Sequence, residues 1–185
     1  MDTLNTCSST AYLGLGSNLG DRLVAMRAAI QALDDHPRIR VDFERGVAPL
    51  YETGPVGGPP GQGPFLNSAV RVGTTLSGMD LLCALLSIEE SLGRMRGDRW
   101  DARIIDIDLL LFADLVVNGE GLSIPHPRMH TRRFVLDPLA EIAGDVIHPV
   151  FHMTIFALAG KCRSEPKGET VELLASGGWQ LSFNP

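Results

Sequence analysis

"RWDARIIDIDLLLF", residues Arg99 to Phe112, is the stretch on which the reading of the chain turns. Its second half is a run of Ile, Leu and Phe of ordinary strand length, yet Asp106 and Asp108 sit inside it. Side chains alternate across a strand, so residues two apart project from one face and the two aspartates stand side by side. Unpaired carboxylates that close repel, and burying one without compensation costs several kcal/mol or forces it to take up a proton. Positive charge must meet them, from arginines or from metal ions.

Immediately upstream, Arg94, Arg96, Arg99 and Arg103 fall within ten residues, mixed with Asp98 and Asp101. The plain account is a set of surface salt bridges. The alternative is a nucleotide site, in which arginine forks grip phosphates and aspartates hold Mg²⁺ that bridges the same phosphates. Composition bears on the choice. The chain has 185 residues, 44% hydrophobic and 21% charged, with a formal net charge of -6. That suits one compact domain and argues against a broad nucleic-acid surface, so a bound polyanion must be small and locally recognised. The start "MDTLNTCSST" has no positive segment followed by an apolar one, and no apolar run reaches the roughly 18 to 20 residues that cross a membrane, so a cytoplasmic protein is expected. Cys7, Cys83 and Cys162 are scattered and odd in number, which predicts free thiols rather than disulfides or a zinc site.

Outward from the aspartate strand, periodicity orders the rest. "TAYLGLGSN" reads as a first strand and "NLGDRLVAMRAAIQALDD" as a helix whose Leu23, Met26, Ile30 and Leu33 share a face, with Asn18 and Asp21 as an N-cap arrangement. "RIRVDFERGVAPLYE" alternates as a second strand. "TGPVGGPPGQGP", with five glycines and four prolines, must be a loop, and one this long is usually a binding element or disordered. "FLNSAVRVGTT" is a third strand. "SGMDLLCALLSIEESLG" is a helix capped by Ser77 and Asp80, striped by Leu81, Leu85, Ile88 and Leu92, and stopped at Gly93. After the aspartate strand, Asn118-Gly119 in "LVVNGEGLSIP" suits a tight turn between short strands, and "MHTRRFVLDPLAEIAG" resembles a helix with Pro138 near its start or at a kink. The order strand, helix, strand, strand, helix, strand is the split βαβ pattern. It predicts an α+β fold with a ferredoxin-like βαββαβ core, an added hairpin and a C-terminal helix. The domain is expected over residues 11–160, between a polar tail at 1–10 and a loosely attached tail or extra hairpin at 161–185.

Other motifs carry less alone. "GLGSNLGDR" lacks the Gly-Lys-Ser/Thr of a phosphate loop, and its Gly14, Gly16, Leu19 register fails the dinucleotide fingerprint, which leaves a tight strand-to-helix turn or an anion seat at a helix N-terminus. His126 in "IPHPRM" lies between two prolines, held rigid and extended. Trp100 could be core or a lid over a planar ligand. Phe65 and Asn67 share a strand face, an aromatic ring beside an amide, which suits a flat heterocycle or core packing.

Together these stretches are more specific than any of them singly. "GSNLGDR", "YET" before a Gly/Pro loop, "FLN", "GRMR", "RWDARIIDIDLLLF", "IPHPRM" and "RRFVLDPL" occur in this order, and the chain from residue 11 to about 150 resembles the 6-hydroxymethyl-7,8-dihydropterin pyrophosphokinase family of folate biosynthesis. The resemblance implies transfer of pyrophosphate from ATP to the pterin hydroxymethyl oxygen, with release of AMP. It implies that Asp106 and Asp108 hold two Mg²⁺ ions. Arg94, Arg96, Arg103 and Arg132 match phosphate-side residues, Arg94 and Arg103 among the catalytic set with the aspartates, and Glu89, Ser123 and His126 match nucleotide-contacting positions. Thr53, Gly54, Val56, Phe65, Asn67, Trp100 and Phe134 fall on the pterin side, with Phe65 and Phe134 sandwiching the ring. ATP and the pterin are the partners implied, with no nucleic acid or membrane, and a monomer is expected. Three departures stand out: Asp101 replaces a usual glycine, Gly54 a frequent proline, and the segment from Arg96 to Trp100 is short and lacks a lysine. The rival readings are an RNA-binding ferredoxin-like module, opposed by the acidic balance and the lack of an aromatic strand motif, and a non-catalytic ligand-binding relative.

Overall fold

The computed structural model of the protein describes residues 8–54, 61–94, 103–165, 170–175 and 178–181. Strand β1 (Ser9–Ser17) leads into helix α1 (Arg22–Asp35), then come β2 (Ile39–Val41), β3 (Leu50–Thr53), β4 (Phe65–Thr74), α2 (Gly78–Ser91) and β5 (Asp106–Phe112). A hairpin of β6 (Val117–Gly119) and β7 (Leu122–Ile124) follows, then α3 (Arg133–Ala143), α4 (Ile155–Ser164) and β8 (Val171–Ala175). The main sheet runs β5-β1-β4-β3-β8, antiparallel throughout, with β2 also on β4. If β2 and β3 are counted as one interrupted strand, this is the ferredoxin-like order, extended by β8 at one edge.

The interruption corrects the expectation of one continuous second strand. Between β2 and β3 the Asp42 carboxylate accepts from the amides of Glu44 and Arg45, at 3.2 and 3.1 Å, and folds the chain into a turn. Its other oxygen pairs with Arg71 on β4. A Cβ at Gly46 would meet Asp42 at 2.7 Å, so only glycine closes this turn.

Each face of the sheet buries its own core. On one face Leu13, Leu15, Val70, Val72, Ile107 and Leu109 pack against Met26, Ile30 and Leu33 of α1 and Leu81, Leu85 and Ile88 of α2. On the other, Tyr12, Ala69, Leu110 and Leu111 pack against Val135, Leu136 and Leu139 of α3 and Leu158 and Ala159 of α4. Strand β5 serves both faces through a bulge. Leu13 pairs with Leu109 and Tyr12 with Leu111, so Leu110 is the extra residue and both Leu110 and Leu111 reach the second core. Asp137, nearly enclosed between α3 and α4, is satisfied by Arg133 at 3.1 Å and Arg163 at 2.8 Å.

Helix ends follow local chemistry. Ser77 caps α2 by accepting from the Asp80 amide at 3.2 Å, and Gly93 ends it at φ 93°. For α1 the cap is Asp21, which accepts from Val24 at 3.0 Å; Asn18 is not part of it. The hairpin turn falls at Glu120-Gly121, with Gly121 at φ 85°, whereas Asn118 and Gly119 lie in β6. Pro138 lies inside α3, where it cannot donate to the carbonyl four residues back. The expectation of a loose tail also changes. Residues 155–164 form α4, β8 joins the sheet against β3, and the buried Trp179 donates its indole N–H to the Ala48 carbonyl at 2.9 Å. Cys83 and Cys162 form no disulfide with the described residues; Cys7 lies outside them.

Candidate active site

Helices α3 and α4 cover only part of their face of the sheet. The remainder is open, and its floor is made of glycine. Gly14 and Gly16 stand on β1 with Asp108 and Asp106 of β5 directly across on one side and Ala69 and Asn67 of β4 on the other. They are strand residues, as the reading of "TAYLGLGSN" expects, and not the strand-to-helix turn that the glycine motif alone suggested. A Cβ at Gly16 would lie 3.4 Å from the Asn67 amide oxygen, and one at Gly14 3.4 Å from Leu110, so side chains here would fill the space above the floor. Above it is a cavity of about 240 Å³, lined by Thr53, Gly54, Phe65, Asn67, Arg103, Asp106, Asp108, His126, Arg132 and Phe134, with Gln62 and Arg128. Asn67 is held by donating to the Thr53 hydroxyl at 2.8 Å.

A second cavity of about 250 Å³ adjoins it, lined by Glu89, Arg94 and Ser123. Arg103, Asp106, Asp108 and His126 line both cavities and form their common wall. The structure therefore brings together every described candidate residue. Val56, Arg96 and Trp100 lie outside the described residues, as does Asp101.

The two aspartates differ sharply in their surroundings. One oxygen of Asp106 receives Arg103 at 2.7 Å and Arg94 at 3.1 Å. Arg94 is itself anchored by Glu89, whose carboxylate is 1% exposed and also accepts from the Ile107 amide at 2.6 Å. Burial, with the Asp106 charge adding to it, pushes Glu89 up to about 7 despite these partners. Asp108, by contrast, receives no hydrogen bond or ion pair within contact distance from the described residues. Burial, then the neighbouring Asp106 charge, pushes it up to about 6, against the more distant pull of Arg132, Arg103 and Arg94. A carboxylate so placed favours a cation. Among the described residues no cluster of three or more His, Cys, Asp or Glu side chains completes an all-protein metal cage. Two carboxylates beside an open cavity fit a hard cation that takes its remaining ligands from phosphate and water.

His126 is fixed by its backbone amide, which donates to the Leu110 carbonyl at 2.9 Å, and its Nδ1 accepts from the Arg128 amide at 3.3 Å. Burial, then Arg132 and Arg128, pushes it down to about 4, so it is neutral near pH 7 and its Nε2–H is a donor. Arg132 sits 5.4 Å from the centre of the Phe134 ring.

Asn18 is the residue whose part sequence reasoning missed. Its side-chain oxygen accepts from the Arg103 amide at 2.8 Å, its own amide donates to the Arg103 carbonyl at 3.1 Å, and its side-chain nitrogen reaches Gln62 at 3.4 Å. It ties the arginine segment to the end of β1. The available signal was its place one residue beyond a strand whose glycines repeat every second position.

The profile of the family described as 7,8-dihydro-6-hydroxymethylpterin-pyrophosphokinase matches residues 12–144. A 2-amino-4-hydroxy-6-hydroxymethyldihydropteridine pyrophosphokinase of Bacillus subtilis is 45% identical over 139 residues, 75% of this chain and 81% of the relative. One from Aquifex aeolicus is 38% identical over 143 residues, 77% of this chain and 86% of the relative. A crystal structure of Plasmodium falciparum HPPK-DHPS superposes with a TM-score of 0.66 at 17% identity, covering 84% of this chain and 45% of that one. The chain thus spans less than half of that longer protein, and the likeness carries the fold alone.

Proposed function

The chain belongs to the 7,8-dihydro-6-hydroxymethylpterin-pyrophosphokinase family, and from that premise we propose how its residues divide the work. The protein transfers pyrophosphate from ATP to 6-hydroxymethyl-7,8-dihydropterin in folate biosynthesis. The observation that carries the division is the pair of adjoining cavities with Arg103, Asp106, Asp108 and His126 in their common wall. A group passing between two substrates must be reached from both.

The glycine-floored cavity takes the pterin. Phe65 and Phe134 offer faces to its ring, and the Asn67 amide, held by Thr53, matches its hydrogen-bonding edge. The second cavity takes ATP, with Glu89 anchoring Arg94, and Ser123 and neutral His126 donating to nucleotide oxygens. Arg96 belongs to the phosphate side, and Val56 and Trp100 to the pterin side, by their matching positions. Asp106 and Asp108 would hold two Mg²⁺ ions, and that charge would neutralise the phosphate oxygens. Arg94 and Arg103, both paired with one oxygen of Asp106, would meet the nucleotide phosphates from beside that carboxylate. The hydroxymethyl oxygen attacks the β-phosphorus as the bond to AMP breaks, a displacement that depends on alignment and electrostatics more than on a protein base. Among the described residues no helix is long and apolar enough to cross a membrane. We place the protein in the cytoplasm as a monomer, with the catalytic residues within 11–160 and β8 completing their sheet.

The test mixes the protein with Mg-ATP and the hydroxymethyldihydropterin and follows AMP. Pterin-dependent AMP is the expected product. Binding of both substrates without AMP would support the rival non-catalytic reading.

A further inference from the structure

The family profile ends at residue 144, yet the chain returns to the site beyond it. Strand β8 runs along the free edge of β3, pairing Val171 with Thr53, Glu172 with Glu52 and Leu173 with Tyr51. One residue earlier, Thr170 meets Gly54, and the Gly54 amide donates to both the Thr170 carbonyl at 3.3 Å and its hydroxyl at 3.2 Å. The approach is close because Gly54 has no side chain: a Cβ there would stand 2.9 Å from the Thr170 hydroxyl. Thr53 and Gly54 are wall residues of the glycine-floored cavity, and Thr53 receives the Asn67 amide. The strand is tied down at its far end as well, since Trp179 is bonded to Ala48 and its carbonyl accepts from Arg27 at 2.7 Å.

We propose that Thr170 is a positioning residue for the pterin half of the site, a clasp from the C-terminal strand that fixes the Gly54 amide and, through Thr53, the orientation of Asn67. The proposal rests on the assignment of this cavity to the pterin. In it, glycine at 54 and threonine at 170 form a matched pair: the small residue admits the clasp, and the clasp replaces the rigidity that a residue with a fixed φ would supply. The contact lies at β3, with β1 and β4 between it and β5 with its aspartates, so ATP does not feel it.

The test compares the KM values of both substrates in Thr170→Val, Thr170→Ser, Gly54→Ala and Gly54→Ala/Thr170→Ala, with thermal unfolding as the check on folding. Loss of one hydrogen bond to a wall residue raises the pterin KM about 3- to 10-fold in Thr170→Val, with the ATP KM unchanged. Thr170→Ser restores it. Gly54→Ala raises the pterin KM by clashing with the hydroxyl, and Thr170→Ala in the same chain relieves part of that rise. An unchanged pterin KM in folded Thr170→Val, or equal rises for both substrates, overturns the clasp. A rise confined to ATP overturns the assignment of the cavity itself, and the clasp with it.

Discussion

The two faces of the main sheet are built from the same strands and serve opposite ends. Against α1 and α2 the face is mainly apolar, with the buried hydroxyls of Ser17 and Ser68 set among Leu13, Leu15, Val70, Val72, Ile107 and Leu109. Against α3 and α4 the same strands present Tyr12, Gly14 and Gly16 on β1, Asn67 and Ala69 on β4, and Asp106 and Asp108 before Leu110 on β5. The first face is optimised for burial. The second gives up packing beside the start of α3 and keeps two carboxylates whose charge the fold does not fully compensate. Sites are where sequences break the local rules of stability, and here the break is confined to alternate positions of three strands.

The sharpest way to break that comparison is to neutralise the aspartates. Asp106→Asn and Asp108→Asn should each lower pyrophosphate transfer by orders of magnitude, on the scale of several kcal/mol of transition-state stabilisation. Their effects on folding should diverge, although the sequence treats the two positions alike. Asp108 has a folded pKa of about 6 against 3.8 unfolded, so protonation favours the folded state and stability falls as pH rises from the lower value through the higher one. Asp108→Asn removes that loss and should stabilise the metal-free protein by about 1–2 kcal/mol at pH 7.5. Asp106→Asn forfeits two partly exposed arginine pairs and should cost about 1 kcal/mol. Denaturant midpoints on both variants decide the matter. Equal destabilisation would mean that Asp108 is paired like its neighbour and that the open face carries no uncompensated charge.

A smaller effect tests the link between the faces. Glu89 belongs to α2, on the apolar side, but its carboxylate reaches the Ile107 amide and Arg94. Glu89→Ala strands the Ile107 amide and leaves Arg94 with Asp106 alone, and should cost about 2–3 kcal/mol, with catalysis reduced through looser Arg94 placement. Glu89→Gln keeps an acceptor for Ile107 and isolates the charge. Because the folded pKa of about 7 lies above the unfolded 4.5, the wild-type carboxyl withdraws stability as pH rises across that window. His126 works in the opposite sense, its pKa of about 4 withdrawing stability as pH falls below 6.5. Unfolding free energies measured from pH 4.5 to 7 should therefore show a flatter decline in Glu89→Gln than in the wild type. An unaltered slope would indicate that Arg94 keeps Glu89 ionised throughout.

What was legible in the sequence tracks how local the determining physics is. The stripe and cap of α2 involve neighbours three or four residues apart, and Ser77, Leu81, Leu85 and Ile88 fall where periodicity predicts. The paired aspartates announced a site because burial and charge conflict within one strand. The glycine floor did not, because G-x-G has the same composition in a turn as in a strand, and only the pairing of β1 with both neighbours makes it a floor. The break between β2 and β3 depends on Asp42 meeting Arg71, 29 residues away, which periodicity cannot see. Likewise the hairpin turn moved from Asn118-Gly119 to Glu120-Gly121, because two adjacent glycine-bearing dipeptides compete and only strand register chooses between them.

The smallest expected effect concerns the C-terminal segment, where composition predicted few core contacts and the structure buries Trp179 beside the apolar face. Trp179→Phe keeps most of the apolar area and removes one hydrogen bond, that from the indole N–H to the Ala48 carbonyl. The carbonyl is not left bare, because the Ser68 hydroxyl also donates to it at 3.0 Å. The penalty of a stranded acceptor is thus avoided, and the cost should be about 1 kcal/mol, the net worth of the bond itself. Trp179→Ala, which also empties the space, should cost about 3–5 kcal/mol. Chemical denaturation of the two variants measures both. If Trp179→Ala unfolded at the wild-type midpoint, the segment would be the loose tail its composition suggests, and the apolar face would be complete without it. A loss of the expected size would show that the segment carrying β8 is anchored in the core, behind the strand that brings Thr53 to the cavity.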